Sequence, residues 1–568
     1  MRRPAAGGFV TAFTLAIVGV SVAAENPRGI LPAPGVERIE TLPQNWTDAE
    51  ANWFYDAGQG SRLVPYDWIL ALEQPGTEER FLADGHLRDL GLIPRAATPG
   101  NPDGLPVGLV RDVAYDDGTP ALGMTCAACH TAVITHGSTS WVVDGGPAAH
   151  DLERFLRRLT ATLEETDASD ERFARFAARV LPATADADDR DDLRASLRNV
   201  AGERRGYDRR NLSAPGGTPH GPGRIDAFGA IFNEVSATFL GVPGNVATAD
   251  APVSYPCLWD TPQHDRVQWN GIAENRVSAL GPLLFGAAEV GALGRNTGEV
   301  FGVFGSVQIN EAELLLPRPY DSTAHKDNLL ALEKTLATLW SPVWPAALGD
   351  LDAARIARGA ALYRIHCIDC HALVDRTDPD RRVTAVMSDV DTDERVLGNA
   401  ARVVATGRLA GRRRMLGSLE RFDDTAPVAR ILAHVVERAM LDPLPLGEFR
   451  EALAGALRSA DVIGPSFDEP AEGTYKARPL NGVWATAPYL HNGSVPTLAA
   501  LLEPVARRPT TFHVGSTAFD PDRVGFVDDP AFPVFDTARP GNSNRGHEVG
   551  TELSPAEKHD LLEYLKSL

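Results

Sequence analysis

Apolar positions recur at helical spacing in three stretches of the chain. In HDLERFLRRLTATLEE, which starts at His150, the residues Leu152, Phe155, Leu156, Leu159 and Leu163 share one face and predict an amphipathic helix. Two more charged, amphipathic helices follow to about Arg204, with their charges on solvated faces. DAARIARGAALYRIH (352–366) reads as a further helix. The chain ends in LSPAEKHDLLEYLKSL, where Ser554 is an N-cap, Pro555 suits the first turn and Glu557 completes a capping box. Leu561, Leu562, Leu565 and Leu568 form the apolar face of that last helix.

Between these helices the text is irregular. Residues 25 to about 120 are rich in Pro, Gly and Trp and predict a wrapping segment of short elements. SAPGGTPHGPG (213–223) is a glycine-proline connector. Residues 224–310 hold a dense block of Trp, Phe, Asn and Gly. No strand-rich or dinucleotide-binding pattern stands out, so the fold class expected is mainly α. Boundaries are placed at 25–345, with a helical insertion at about 150–212, and at 346–568.

The N-terminus carries two arginines, an apolar run and then Val22-Ala23-Ala24, the pattern of a secretory signal over residues 1–24. Its apolar core is short and interrupted by glycine, which argues against a membrane span. The expected product is periplasmic or secreted. The 568 residues suffice for two to four domains. A formal charge of −21 argues against nucleic acid and against an anionic membrane surface as partners. It is compatible with docking a small basic redox protein as electron donor.

Cysteine usage changes the picture most. Four of the five cysteines lie in TCAACH and HCIDCH, as Cys126 and Cys129 followed by His130, and Cys367 and Cys370 followed by His371. C-x-x-C-H is the signature of covalent c-type haem attachment. One short turn sets two thiols at the spacing of the porphyrin vinyl groups, and the next residue brings its imidazole to the iron. A disulfide or a thioredoxin-like pair has no need of the adjacent histidine twice. Two covalently attached haems are therefore expected, with His130 and His371 as proximal ligands. Cys257 reads as a buried thiol.

With LNGVWATAPYLHNGSVPTLAALLEP (480–504), the two motifs make the chain resemble the bacterial di-haem cytochrome c peroxidases. GRIDAFGAIFNEV and GHEVGTELSPAEKHDLLEYLK look more like the rubber-oxygenase-like branch of that superfamily. The resemblance covers roughly residues 105–568, without the helical insertion. It implies two cytochrome c-like haem domains with loop-rich extensions. Gly359 and Tyr363 match the glycine and aromatic by which small c-type cytochromes pack their first helix on the last.

The resemblance also implies roles. His547 occupies the place of the second haem's sixth ligand, and His491 is the runner-up. Met387, Met415, Met440, His434 and His513 are further candidates, and His559 reads as a surface residue. The first haem has no compelling sixth ligand. His136 lies too near His130, and His150 could reach back. Trp269 matches the tryptophan between the haems, with Trp259 second. Glu289 aligns with the peroxidases' distal glutamate, whereas Phe285 or Leu284 aligns with the phenylalanine over iron in rubber oxygenases. Backbone carbonyls of Thr486 and Pro488 match a calcium site. Arg412, Arg413 and Arg414 could pair with haem propionates. Reduction of hydrogen peroxide is the leading function. Cleavage of an apolar alkene with O2 and simple electron carriage are the alternatives.

Overall fold

The computed structural model describes residues 28–568 apart from 114–117, 279–280, 287, 311–318, 416–418, 442–464, 466 and 468–472. The signal-like segment 1–24 lies outside the described residues. The three helices of the insertion are Leu152–Ala168, Asp170–Val180 and Ala187–Asn211. Leu152, Phe155, Leu156, Leu159 and Leu163 are all buried, as their spacing requires.

The fold class is mixed rather than mainly α, with 38% of the chain helical and 15% in strands. The first C-x-x-C-H motif is the reason nearest the site. It stands between strand Pro120–Met124 and a hairpin of Thr131–His136 with Thr139–Asp144, which Arg38–Thr41 extends in parallel. TAVITH and TSWVVD are rich in β-branched residues, which favour a pleated, packed surface. Most other strands are two or three residues long.

The second motif has a helical entrance. Asp352 caps helix Ala353–His366 by accepting from Ala354 and Arg355. That helix crosses the terminal helix Pro555–Ser567, whose capping box uses Ser554 and Glu557. The crossing is close because of Gly359: a Cβ there would lie 2.1 Å from the Asp560 carbonyl oxygen. Tyr363, fully buried, packs against Tyr564 with ring centroids 5.3 Å apart.

Packing continues across the boundary expected at 345/346. Trp344 meets Trp484 nearly edge-on at 5.3 Å, and one apolar core joins Phe54 and Trp141 to Leu498 and Leu561. A second core is built where helices Ala227–Asn233, Val290–Gly302 and Val428–Met440 pack together. The two motifs open onto cavities within this body.

Candidate functional site

The first motif is held by local hydrogen bonds. Thr125 accepts from the Ala127 amide and donates to the Tyr55 carbonyl at 3.1 Å, which fixes the turn Cys126–Ala128. The His130 amide closes the turn on the Cys126 carbonyl at 2.9 Å. Cys126, Cys129 and His130 line one cavity, and all five cysteines are unpaired. Burial pushes both motif thiols up to about 12, so neither is a thiolate at neutral pH. His130 Nδ1 lies 2.8 Å from the Pro256 carbonyl, which fixes that nitrogen as the donor and leaves Nε2 free for a metal.

The rest of this cavity is largely apolar, with Phe228, Ile231 and Val267 in its wall, and His130 is the one histidine among its described lining residues. Among its polar lining residues are Gln268 and Glu299, joined at 2.5 Å. Burial raises the Glu299 carboxyl above the usual carboxylate range, against the opposing pull of Arg295. Arg295 is itself tied to Glu333 in a buried ion pair.

The residues that the resemblance placed over a first iron do not line this cavity. Glu289 is exposed, at the residue preceding helix Val290–Gly302. Phe285 and Leu284 are buried in the neighbouring apolar core, and none of the three lines the cavity. Glu289 and Glu299 are ten residues apart, about 15 Å of helix rise, so the acid that reaches the cavity is the later one. Sequence reasoning missed Glu299. The available signal was a lone carboxylate in the glycine-rich VGALGRNTGEVFG.

Around the second motif, Cys367, Cys370, His371, His491 and His547 line a common cavity. His371 Nδ1 lies 2.6 Å from the Arg478 carbonyl, repeating the arrangement at His130. His547 stands across from it, with ring centroids 6.3 Å apart. Two metal–imidazole bonds of about 2 Å and two half-rings of about 1.1 Å add to the same separation. The pair therefore has the spacing of two axial ligands on one metal. His547 has φ 48°, its amide donates to Val390 at 2.8 Å, and its carbonyl accepts from Arg508 at 2.9 Å. Arg508 also binds the Asn544 and Gly546 carbonyls at 2.7 Å each, so one guanidinium wraps the loop that presents His547.

His491 reaches the same cavity but stacks on Tyr475, with centroids 4.1 Å apart and planes 17° from parallel. Burial pulls His371 down and brings His130 and His547 to about 4, so all three are neutral at neutral pH, as metal ligation demands.

The other candidates have structural partners. His434 bridges the Arg414 carbonyl and the Tyr320 hydroxyl, and His513 pairs with Asp528. His136 faces the Phe519 carbonyl, and His559 is exposed on the last helix. His150 is wholly buried with its ring 5.7 Å from Phe155, and it does not line the first cavity. Met387, Met415 and Met440 line neither cavity. Arg412 binds the Asn310 carbonyl and Arg414 pairs with Glu420 and Asp423; no member of the arginine run lines a cavity. Thr486 and Pro488 line the second cavity, and the Thr486 hydroxyl donates to the Val483 carbonyl. Cys257 lines it too.

Between the cavities runs a shared wall of Ser254, Tyr255, Pro256, Trp269, Lys476 and Arg478. Trp269 Nε1 donates to the Ser254 carbonyl at 2.9 Å, and its own carbonyl accepts from the Lys476 amide at 2.8 Å. Trp259 is buried and lines neither cavity. The wall contains the two carbonyls that orient His130 and His371.

Comparison with known proteins agrees with this chemistry. The RoxA-like, cytochrome c-like family matches residues 473–513, the segment that holds Lys476, Arg478 and His491. Uncharacterized protein y4iJ of Sinorhizobium fredii (strain NBRC 101917 / NGR234) is 33% identical over 593 aligned positions, covering 94% of each chain. Uncharacterized protein y4iM of the same organism is 31% identical over 246 positions, 38% of this chain and 49% of that protein. The chain belongs to the family of y4iJ, and its RoxA-like, cytochrome c-like segment implies covalent haem c and supports the rubber-oxygenase-like branch of the haem proteins.

Proposed function

We propose that the protein is an exported oxidoreductase with two c-type haems, reducing hydrogen peroxide at the first and drawing electrons through the second. The observation that carries this reading is an asymmetry. The second cavity presents two imidazoles 6.3 Å apart, and among the described residues the first presents His130 alone. A haem closed by two side chains transfers electrons, whereas one with an open face can bind and activate a small oxidant.

The chain's own residues have distinct parts in this reading. Glu299, whose carboxyl burial raises above the usual carboxylate range, is the acid placed to exchange a proton beside the first site, and Gln268 fixes its orientation. Phe228, Ile231 and Val267 exclude water. Trp269 lies in the wall between the sites and shortens the path for an electron. A small soluble redox protein is the expected donor, with the acidic surface favouring a basic one. Calcium at the Thr486 and Pro488 carbonyls remains part of the proposal.

The RoxA-like segment and the apolar wall of the first cavity favour a second reading, cleavage of an apolar alkene with O2. The test adds peroxide, or O2 with polyisoprene, to the reduced holoprotein and follows haem spectra and product. Peroxide should oxidise both haems, and Glu299→Gln should slow the reaction by about 100-fold. No reaction with peroxide, together with alkene-dependent O2 consumption, would replace the first reading with the second.

A further inference from the structure

Among the described residues, neither of two cations in the wall between the cavities has an ion-pair partner. Lys476 is 7% exposed and borders both cavities. Among the described residues no hydrogen bond or ion pair holds its ammonium. Arg478 borders the same cavities, and its side chain donates once, to the Trp259 carbonyl at 3.2 Å. The charges near Lys476 do not compensate it. Arg478 repels it, Arg295 is bound to Glu333, and Asp265 attracts it while accepting from the Ala385 amide. A buried ammonium beside a guanidinium with no carboxylate between them is strongly unfavourable, and an anion supplied by whatever fills the cavities would relieve it.

The strand Tyr475–Ala477 positions the pair. It pairs antiparallel with Val386–Ser388, and the Lys476 amide is anchored on the Trp269 carbonyl. Arg478 follows the strand directly, two residues after Lys476, and both side chains border both cavities. We propose that Lys476 and Arg478 form one carboxylate-binding site shared by both cavities, receiving propionate carboxylates of the two haems. This rests on the di-haem reading above. It assigns the propionate role to these residues in place of the arginine run 412–414. A cation shared in this way offsets the propionate charge at both irons and raises both reduction potentials.

The test uses the holoprotein and the variants Lys476→Met and Lys476→Arg. Intact mass gives the haem count, and spectroelectrochemistry gives the potential of each haem. Lys476→Met should keep both haems and both low-temperature spectra. It should shift both potentials downward, each by about tenfold in the reduction equilibrium, or ~59 mV for a one-electron couple. Lys476→Arg should leave both near wild type. Should the Met variant fail to fold, Lys476→Gln, neutral but still a donor, carries the same measurement. Two haems with unchanged potentials, or a shift at only one of them, would overturn the shared site alone. Fewer than two haems in wild type would overturn the di-haem reading and the site with it.

Discussion

Replacing His547 with alanine should open the sixth position of the second haem and leave the first untouched. The expectation comes from the 6.3 Å separation of the His371 and His547 rings, which leaves room for one metal and nothing else. Removing the half-buried imidazole also leaves a space facing His371. By analogy with large-to-small core changes, stability should fall by about 3–5 kcal/mol, including the lost ligand's packing. The backbone contributes separately. With φ at 48°, histidine and alanine both carry the left-handed strain, and His547→Gly should relieve about 1 kcal/mol of it with the same ligand loss. The assay is optical and EPR spectroscopy of the ferric protein. One low-spin signal should turn high-spin in both variants, and millimolar imidazole should restore it by entering the vacated space. His491→Ala is the control. It loses a stacked contact with Tyr475 worth about 0.5–1.5 kcal/mol, beyond burial, and should keep the low-spin signal. An unchanged signal in His547→Ala, or its loss in His491→Ala, would refute the assignment.

Three further outcomes are expected. Trp269→Ala should preserve both haem spectra but slow oxidation of the second haem after peroxide meets the first; equal stopped-flow rates in wild type and variant would remove Trp269 from the electron path. Gly359→Ala should destabilise the holoprotein by about 2 kcal/mol or more despite alanine's roughly 1 kcal/mol helix advantage, because its Cβ meets backbone at 2.1 Å. Gly202→Ala, with open space around it, should be neutral or stabilising in the same thermal unfolding experiment. His150 is neutral in the fold down to about 3, so its contribution is complete above the ordinary histidine range and is lost as pH falls, when the unfolded chain takes up the proton first. At about pH 5 that loss is roughly 2 kcal/mol, and His150→Leu should flatten the stability profile by that amount between neutral pH and pH 5.

What could be read from the sequence was what chemistry or periodicity keeps local. Leu152 to Leu163 and the capping box at Ser554 need no distant partner to declare a helix, and both lie where their spacing put them. C-x-x-C-H is equally local, since the porphyrin spans one turn. The strands were not legible for the opposite reason. Arg38–Thr41 finds its partner a hundred residues away at Thr139–Val142, and most other strands are too short to show alternation. Glu289 lies away from the cavity for a subtler cause. An alignment carries over an unbroken geometry, yet the chain makes a short helix at Gly281–Phe285 and starts another at Val290, so the alignment reaches exposed Glu289 while Glu299 lines the cavity.

The wall between the cavities shows why a list of candidate ligands could not have described this site. Pro256, Trp269 and Arg478 come from three separate segments, and each does one job through its backbone and another through its position. The Pro256 and Arg478 carbonyls fix the donor nitrogen of His130 and of His371, while the Trp269 carbonyl anchors the strand that carries Lys476. Backbone carbonyls leave no mark in a sequence, because any residue type supplies one. Side-chain identity therefore pointed to His130 and His371 but could not show that both rings are oriented from one wall. A shift of that wall would disturb both sites at once. Substitutions there should perturb the two haems in concert, whereas changes at Glu299 or His547 should remain confined to one.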